Sequence, residues 1–352
     1  MPDNKPLTFC VTLLAVMLLA YILVIAKALL IPFIVALFVW HLLNTIASSI
    51  AKIRGIGQYI PSWMRMLLAL FLLFLFCWGL ITILTNNVTE VINAAPRYQA
   101  RLMQLLSDLD SYFHIKILTS AQEFARALNI QTMLINVYGM FTSIMGNAVL
   151  ILLYIFFLFL EQSMLPRKME AFFPQRKHLT LMTHILKQII KDTQTYLGIK
   201  TVSSICTSVL SFLIMKWVGL DFAEFWALLI FFLNYIPNIG SIIATIFPAL
   251  LALIQFDAWA PFVTVTLGIT TVQFVFGSFF EPKMMGRSLN LSPLVILIAL
   301  GVWGSLWGII GMFFAVPITV MMMIIFSHFE KTRGIAILLS QNGALKITSY
   351  EL

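Results

Sequence analysis

Charge is what this sequence has least of. Only 10% of its 352 residues are Asp, Glu, Lys or Arg, while 61% are hydrophobic; an ordinary globular domain carries about 25% charged residues. So little polar surface cannot cover a body folded in water, which excludes a soluble protein. Acidic residues are the scarcer sign, 14 against 22 Lys and Arg, for a formal net charge of +8. Such an excess would suggest nucleic acid if the cations shared a polar face, but they lie between long apolar runs, so no nucleic-acid partner is expected. Cysteine is nearly missing. Cys10, Cys77 and Cys206 each fall inside an apolar stretch, which fits neither a disulfide framework nor a thiolate metal site.

Catalytic motifs are absent too. The chain has no His-Glu-x-x-His, no Gly-x-Ser-x-Gly and no Gly-x-x-x-x-Gly-Lys, the patterns that would build a zinc site, a nucleophile elbow or a phosphate loop. His41, His114, His178, His184 and His328 are scattered, with no pair at metal-ligand spacing. No catalytic residue, metal or cofactor is expected, and without a phosphate loop the chain cannot itself use ATP. Pro-rich, Ser-rich and acidic low-complexity tracts are lacking, so no separate soluble domain is expected.

What the sequence does have is apolar length. A membrane-crossing helix needs about 20 mostly apolar residues, since each adds roughly 1.5 Å across about 30 Å of hydrocarbon. Residues 7–26, 29–50, 64–84, 137–160, 197–215 and 259–280 meet that test. The first is too long for a cleavable signal peptide and is followed at once by the second. Stretches 225–254 and 291–326 are too long for one upright crossing, reaching on the order of 45 Å and 50 Å. Each has helix breakers near its middle: Asn234 to Gly240 in one, Gly301, Gly304, Gly308 and Gly311 in the other. Each is either a single broken, tilted helix or a hairpin. The expected fold is all-α: a polytopic membrane protein with about eight apolar helical segments, two of them candidate re-entrant hairpins.

The basic residues suggest an orientation. The loop with Lys52, Arg54 and Arg65 and the connection 161–200, which holds seven basic residues against three acidic, belong in the cytoplasm by the positive-inside rule, and the charge-balanced segment 86–136 outside. Both termini are then cytoplasmic, and two hairpins keep Lys283 and Arg287 inside, although two ordinary crossings remain open. Five regions are expected: 1–85 with three spans, 86–136 with external amphipathic helices, 137–200 with a fourth span and a basic helix, 201–330 for transport, and a tail, 331–352. In the external region Tyr98, Leu102, Leu105, Leu106, Leu109 and Phe113 share one helical face, and Phe124, Leu128 and Ile130 make a shorter pattern. These faces suit the membrane surface, a subunit interface or a gate. Basic residues in 167–195 suit contact with anionic lipid.

The break Asn234-Tyr235-Ile236-Pro237-Asn238-Ile239-Gly240 is the strongest candidate site. Pro237 lacks an amide hydrogen and Gly240 tolerates unusual backbone angles, so nearby main-chain groups lose helical partners. At membrane depth such groups persist only beside protein or a wet cavity, and transporters build binding sites from broken helices. Asn234, Tyr235, Pro237, Asn238 and Gly240, with Gln273 on the next span, are the candidate substrate-binding residues for a neutral polyol or a bare cation. Glu281, and Glu224 with it, are candidates for coupling to Na+ or H+; Glu281 could equally pair with Lys283 or Arg287. No Asp or Glu lies deep within a clear span, so an end carboxylate would have to be carried inward.

Asn234 to Ser241, with Glu281-Pro282-Lys283-Met284-Met285-Gly286-Arg287-Ser288-Leu289-Asn290-Leu291-Ser292-Pro293-Leu294-Val295 and, beyond it, Gly308, Gly311, Ala315, Val316 and Pro317, resembles the autoinducer-2 exporter family of bacterial membrane proteins. Ser292 stands where many members have histidine, a form similar to the autoinducer-2 exporter subgroup. The resemblance implies export of a small signalling solute across the bacterial cytoplasmic membrane, a multi-span fold and homo-oligomers; some relatives are linked instead to sodium-proton exchange. The expected function is a secondary transporter working by alternating access, with a sodium-proton antiporter or a passive channel as alternatives, and with solute and membrane lipid as partners.

Overall fold

The computed structural model describes residues 5–53, 59–113, 139, 142, 145–285 and 290–345. Among these residues every regular element is helical, with one isolated bridge between Leu291 and Ser340. In chain order the helices are α1 (Lys5–Ile25), α2 (Lys27–Ala51), α3 (Ser62–Phe113), α4 (Ala148–Phe172), α5 (Arg176–Val218), α6 (Ala223–Leu233), α7 (Ile239–Gln255) and α8 (Trp259–Phe274). A π-helical segment (Val275–Phe280) follows, then α9 (Glu281–Met285), α10 (Pro293–Ser327) and α11 (Arg333–Leu339). Six of these stretches are long and apolar enough to cross a membrane: α2, Ser62–Ile83 of α3, α4, α5, Trp259–Met285 and α10. Their large side chains turn outward: Trp78, Val149 and Trp217 are each more than half exposed, as suits helices whose solvent is hydrocarbon.

Both overlong apolar stretches are helical hairpins. The first is α6, a tight turn over Asn234 to Asn238, and α7. The arms lie against each other, with the rings of Trp226 and Phe247 stacked at 6.2 Å. Gly240 makes the turn possible, because a Cβ there would stand 1.7 Å from the carbonyl oxygen of Leu233. The second hairpin folds inside α10, where Gly308 leaves the helical region at φ 65°, ψ −145°, a conformation open essentially to glycine alone. A Cβ on Gly311 would meet the Trp303 carbonyl oxygen at 1.9 Å, and one on Gly304 the end of Met312. An eleven-residue arm such as α6 reaches only about 16 Å, too short to cross.

Elsewhere elements run longer than the apolar runs alone suggest. α3 continues without interruption for 52 residues, through Pro96, into the amphipathic region, so the third span and the first surface helix are one element. No glycine pair or second proline follows Pro96 to end it. The side chains of Leu102, Leu105, Leu106, Leu109 and Phe113, and the pattern of Phe124, Leu128 and Ile130, lie outside the described residues. Likewise α5 joins the basic stretch to the fifth span in one 43-residue helix.

The chain divides into two compact units. One comprises Met1–Thr45, Asn147–Tyr196 and Arg287–Leu352. In it Trp307, beside the α10 reversal, donates its indole N–H to the Leu23 carbonyl at 3.1 Å, and Phe38 of α2 sits edge-on to Phe313 and Phe314. The other comprises Ile46–Gly146 and Leu197–Gly286. Its core gathers Met215, Phe225, Trp226, Ile230, Val265 and Ile269 around the first hairpin. Lipid is as apolar as these side chains, so burial gives little association energy; packing and polar contacts between helices hold the bundle.

Candidate functional site

The second unit carries the polar groups, and α5 supplies the face on which they meet. From Leu197 onward the helix is apolar except for a recurring set of small hydroxyls. Ser203, Ser204, Thr207 and Ser211 are completely buried, and spacings of three and four set them on one side of the helix. Lys200 begins this side, three residues inside the apolar run, and is 6% exposed.

Lys200 pairs with Glu281 of α9 at 2.7 Å, Nζ to Oε2, and Glu281 is 8% exposed. Ser203 donates to the other carboxylate oxygen at 2.8 Å. The Lys200 ammonium also donates to the main-chain carbonyl of Asn234 at 3.1 Å, at the C-terminal end of α6, where helical carbonyls run out of amide partners. Asn234 in turn donates its side-chain amide to Ser204 at 3.2 Å, and the Tyr235 hydroxyl bonds Thr201 at 2.8 Å. One cation thus ties together the hairpin turn, α5 and the start of α9. Removing two ions from water costs several kcal/mol each unless geometry and further hydrogen bonds repay it; here both ions have them.

The candidate residues separate into groups. Asn234, Tyr235 and Glu281 are brought together through α5. Asn238 lies across the turn, exposed, at φ 61°, ψ −58°, the centre of a γ-turn closed by the Ile239 amide on the Pro237 carbonyl; its carbonyl accepts from Ser241. Gly240 is buried behind the turn, and the side of Pro237 is half-buried. Gln273 is 9% exposed, further along α8, and its Nε2 has no partner. Glu224 sits at the opposite end of the hairpin, bonded to Lys216 at 2.8 Å.

The turn spends more of its backbone than its sequence suggests. The amides of Asn234, Tyr235, Ile236 and Gly240 all find carbonyls one turn back or nearer, since tightening to i→i+3 bonds recovers partners at a helix end. Glu281 finds Lys200, a residue the spacing along its own helix could not indicate; Arg287 lies outside the described residues. The signal for α5 was present: a lysine inside an apolar run, followed by hydroxyls at helical period.

At the base of the hairpin Gln255 holds the Asp221 amide and the Gly219 carbonyl at 2.8 and 2.9 Å. Tyr98 of α3 donates to the Asp221 carboxylate at 2.7 Å, and burial together with that carboxylate pushes the Tyr98 phenol above its ordinary range. Arg101 pairs with Asp257 beside it. Between α3, α5 and α6 opens a groove of about 430 Å³ lined by Phe76, Leu80, Val209, Phe212 and Phe231, with Glu224 at its edge. It offers a polar solute almost nothing to bond, so the buried cluster is the better candidate. Among the described residues no three His, Cys, Asp or Glu side chains come close enough to hold a metal ion.

Short-armed helical hairpins and six helices long and apolar enough to cross a membrane define a polytopic helical membrane protein. The chain belongs to the AI-2E family of transporters, whose family model matches residues 10–331. It is similar to the AI-2 transport protein TqsA of Escherichia coli, 30% identical over 319 residues that cover 90% of each chain. A chain from Haemophilus influenzae is 28% identical over 90% of this one and 91% of its own length. One from Borreliella burgdorferi is 30% identical over 75% and 73%.

Proposed function

We propose that this chain is a secondary transporter that exports a small polar solute such as autoinducer-2 by alternating access, and that the tip of the α6–α7 hairpin is where it works. The observation that carries the reading is the bond from Lys200 to the Asn234 carbonyl, made by the same ammonium that pairs with Glu281. A hairpin pinned by a cation can be released when that cation's counter-charge changes, so solute movement at the tip and ion occupancy at Glu281 are linked. Asn234, Tyr235, Asn238 and Gln273 are the proposed polar contacts; Pro237 and Gly240 shape the turn. The similarity to TqsA supports the substrate class, and a neutral polyol suits a site whose charges are already paired. The orientation with both termini cytoplasmic, assembly as a homo-oligomer, the division into five regions and the use of Na+ or H+ belong to the same reading.

The test is counterflow of labelled autoinducer-2 into proteoliposomes preloaded with unlabelled solute. Wild type should show saturable uptake, and Asn234→Ala with Asn238→Ala should lose it; equal uptake by both removes the site assignment. A passive channel would give flux that does not saturate. The second reading, sodium-proton exchange, rests on the burial of Glu281 beside one cation: sodium would then drive pH changes in solute-free vesicles, abolished by Glu281→Gln.

A further inference from the structure

Glu281, Glu224 and Asp257 each have a basic partner, and Asp221 has the hydroxyl of Tyr98. Asp192 of α5 has neither. It is 8% exposed, and among the described residues no hydrogen bond or ion pair reaches its carboxylate. Lys187 and Lys191, its neighbours on the same helix, are exposed and do not pair with it. Buried charges are paired or coordinate a metal ion, so an unpaired one in a native fold calls for a physical reason.

A small cavity supplies one. Asp192 lines a space of about 20 Å³ together with Gln188, Asn290 and Ser327, all within one compact unit. Gln188 stands one turn before Asp192 on the same side of α5, and its Oε1 is buried with no hydrogen-bond partner. Asn290 spends its Nδ2 on the Ala344 carbonyl at 2.5 Å, which leaves Oδ1 as the atom it can offer. Ser327 is 7% exposed and donates its hydroxyl proton to the Ile324 carbonyl at 2.7 Å, so its oxygen can present a lone pair. Ser327 also ends α10, and the C-terminal end of a helix carries partial negative charge. The rings of His184 on α5 and His328 just beyond α10, 6.3 Å apart, keep α5 against that end. No basic side chain lines the cavity.

We infer that this cavity binds a dehydrated sodium ion, held by the Asp192 carboxylate with Gln188 Oε1, Asn290 Oδ1 and Ser327 Oγ as neutral ligands. The space takes one water-sized body, for which about 10–15 Å³ suffices. Oxygen donors select a hard cation. A single carboxylate balances one positive charge, and with no second acidic side chain on the wall a divalent ion would remain undercompensated; calcium in addition takes about 6–8 oxygens. A space this small favours sodium over the larger potassium. The ion does for Asp192 what Lys200 does for Glu281, and by tying α5 to the end of α10 it makes the stability of that unit depend on sodium. The site uses none of the residues of the hairpin cluster and does not rest on the transport reading.

Melting the purified protein in detergent, in sodium chloride or choline chloride at equal ionic strength, tests the site. Sodium should raise the unfolding midpoint saturably by about 3 °C or more, potassium less, and choline not at all. Labelled sodium should bind at one ion per chain. Asp192→Asn should abolish both responses yet melt in choline no lower than wild type, since it removes an uncompensated buried charge. Gln188→Leu should weaken sodium binding about tenfold or more, the loss of one contact to a charged group. A wild-type midpoint that moves equally in both salts, or a sodium response that survives Asp192→Asn, overturns the inference. So does sodium binding that disappears in Glu281→Gln and persists in Asp192→Asn, which would put the ion at the hairpin. Arg287 and Lys346 are close in sequence to the wall residues Asn290 and Leu345 but lie outside the described residues. A sodium response that appears only in the Arg287→Gln, Lys346→Gln variant would make one of these side chains the partner of Asp192 and is equally fatal. Should Asp192→Asn not fold, Gln188→Leu and Ser327→Ala carry the same comparison. These measurements are made without solute, so failure of autoinducer-2 counterflow leaves them untouched.

Discussion

Lys200 and Glu281 are each more than nine-tenths buried, so removing one charge strands the other where water cannot reach it. Breaking a buried pair from one side costs about 3–5 kcal/mol. Lys200→Met should fall in the upper part of that range, because it also takes the donor from the Asn234 carbonyl and leaves a carboxylate with Ser203 alone. Glu281→Gln should fall lower, since the amide oxygen can still accept from Lys200 while the amide NH2, in place of the oxygen that Ser203 bonds, can donate to the Ser203 hydroxyl. Combining Lys200→Met with Glu281→Leu removes both ions. What remains unpaired is one carbonyl and one hydroxyl, at about 1–3 kcal/mol apiece, offset by the desolvation no longer incurred.

The double variant should therefore be more stable than Lys200→Met alone, with a coupling energy of about 2 kcal/mol or more. Thermal or denaturant unfolding in detergent micelles reads the three midpoints against wild type. Additivity within about 0.5 kcal/mol, the behaviour of residues that do not interact, would refute the claim that these two charges depend on each other and with it the pinning of the hairpin.

The glycines give a graded set of predictions. Gly240→Ala and Gly311→Ala drive a Cβ into backbone carbonyls that no rotamer change can move aside; each should cost about 3 kcal/mol or more and lower folded yield, measured by size-exclusion of detergent extracts. Gly308→Ala has open space around its Cβ but a glycine-only conformation, so about 1–3 kcal/mol should be lost to strain. Gly301→Ala meets nothing within 4 Å and keeps helical angles; it should be neutral or stabilising by up to about 1 kcal/mol, seen in the same melting assay. Tyr98→Phe removes the donor to Asp221 and should cost about 1 kcal/mol. The raised phenol means its contribution is complete at neutral pH and fades only as alkaline pH ionises the group, so wild type and variant should converge in stability well above pH 10; a constant gap would contradict it.

The number and helicity of the apolar segments could be read from the chain, because in lipid a backbone must satisfy itself and only length and hydropathy remain to decide. The two hairpins were legible only as one of two alternatives, because breakers such as Pro237 and Gly308, midway along stretches too long to cross once, permit either a reversal or a broken, tilted crossing. The lengths of α3 and α5 were not legible, since a helix does not end where its side chains turn polar: Ser62–Phe113 continues from lipid-facing into amphipathic sequence with the same backbone bonds. The partner of Glu281 was hidden for another reason. Lys200 precedes it by 81 positions, and sequence proximity favours Lys283, so only the fold decides which cation reaches the carboxylate.

The two hairpin tips answer one physical problem in the same way. Reversing a helix within a few residues forces the first turn of the returning arm against the last carbonyls of the outgoing arm. In the first hairpin the close approach is Gly240 to the Leu233 carbonyl; in the second it is Gly311 to that of Trp303. In each, a glycine lies where a side chain would collide with main chain, so the constraint is on backbone packing and not on any solute. The differences are what separate packing from function. The second tip turns on a glycine, Gly308, and is held by an indole bond to the Leu23 carbonyl. The first turns through Asn234, Tyr235 and Asn238 and is held by a lysine whose counter-ion sits on another helix. A reversal needs neither a buried cation nor a buried carboxylate, as the second hairpin demonstrates. Their presence at the first is the reason to place solute and ion there, and a Lys200→Met, Glu281→Leu protein that folds stably but no longer accumulates solute would separate the two roles.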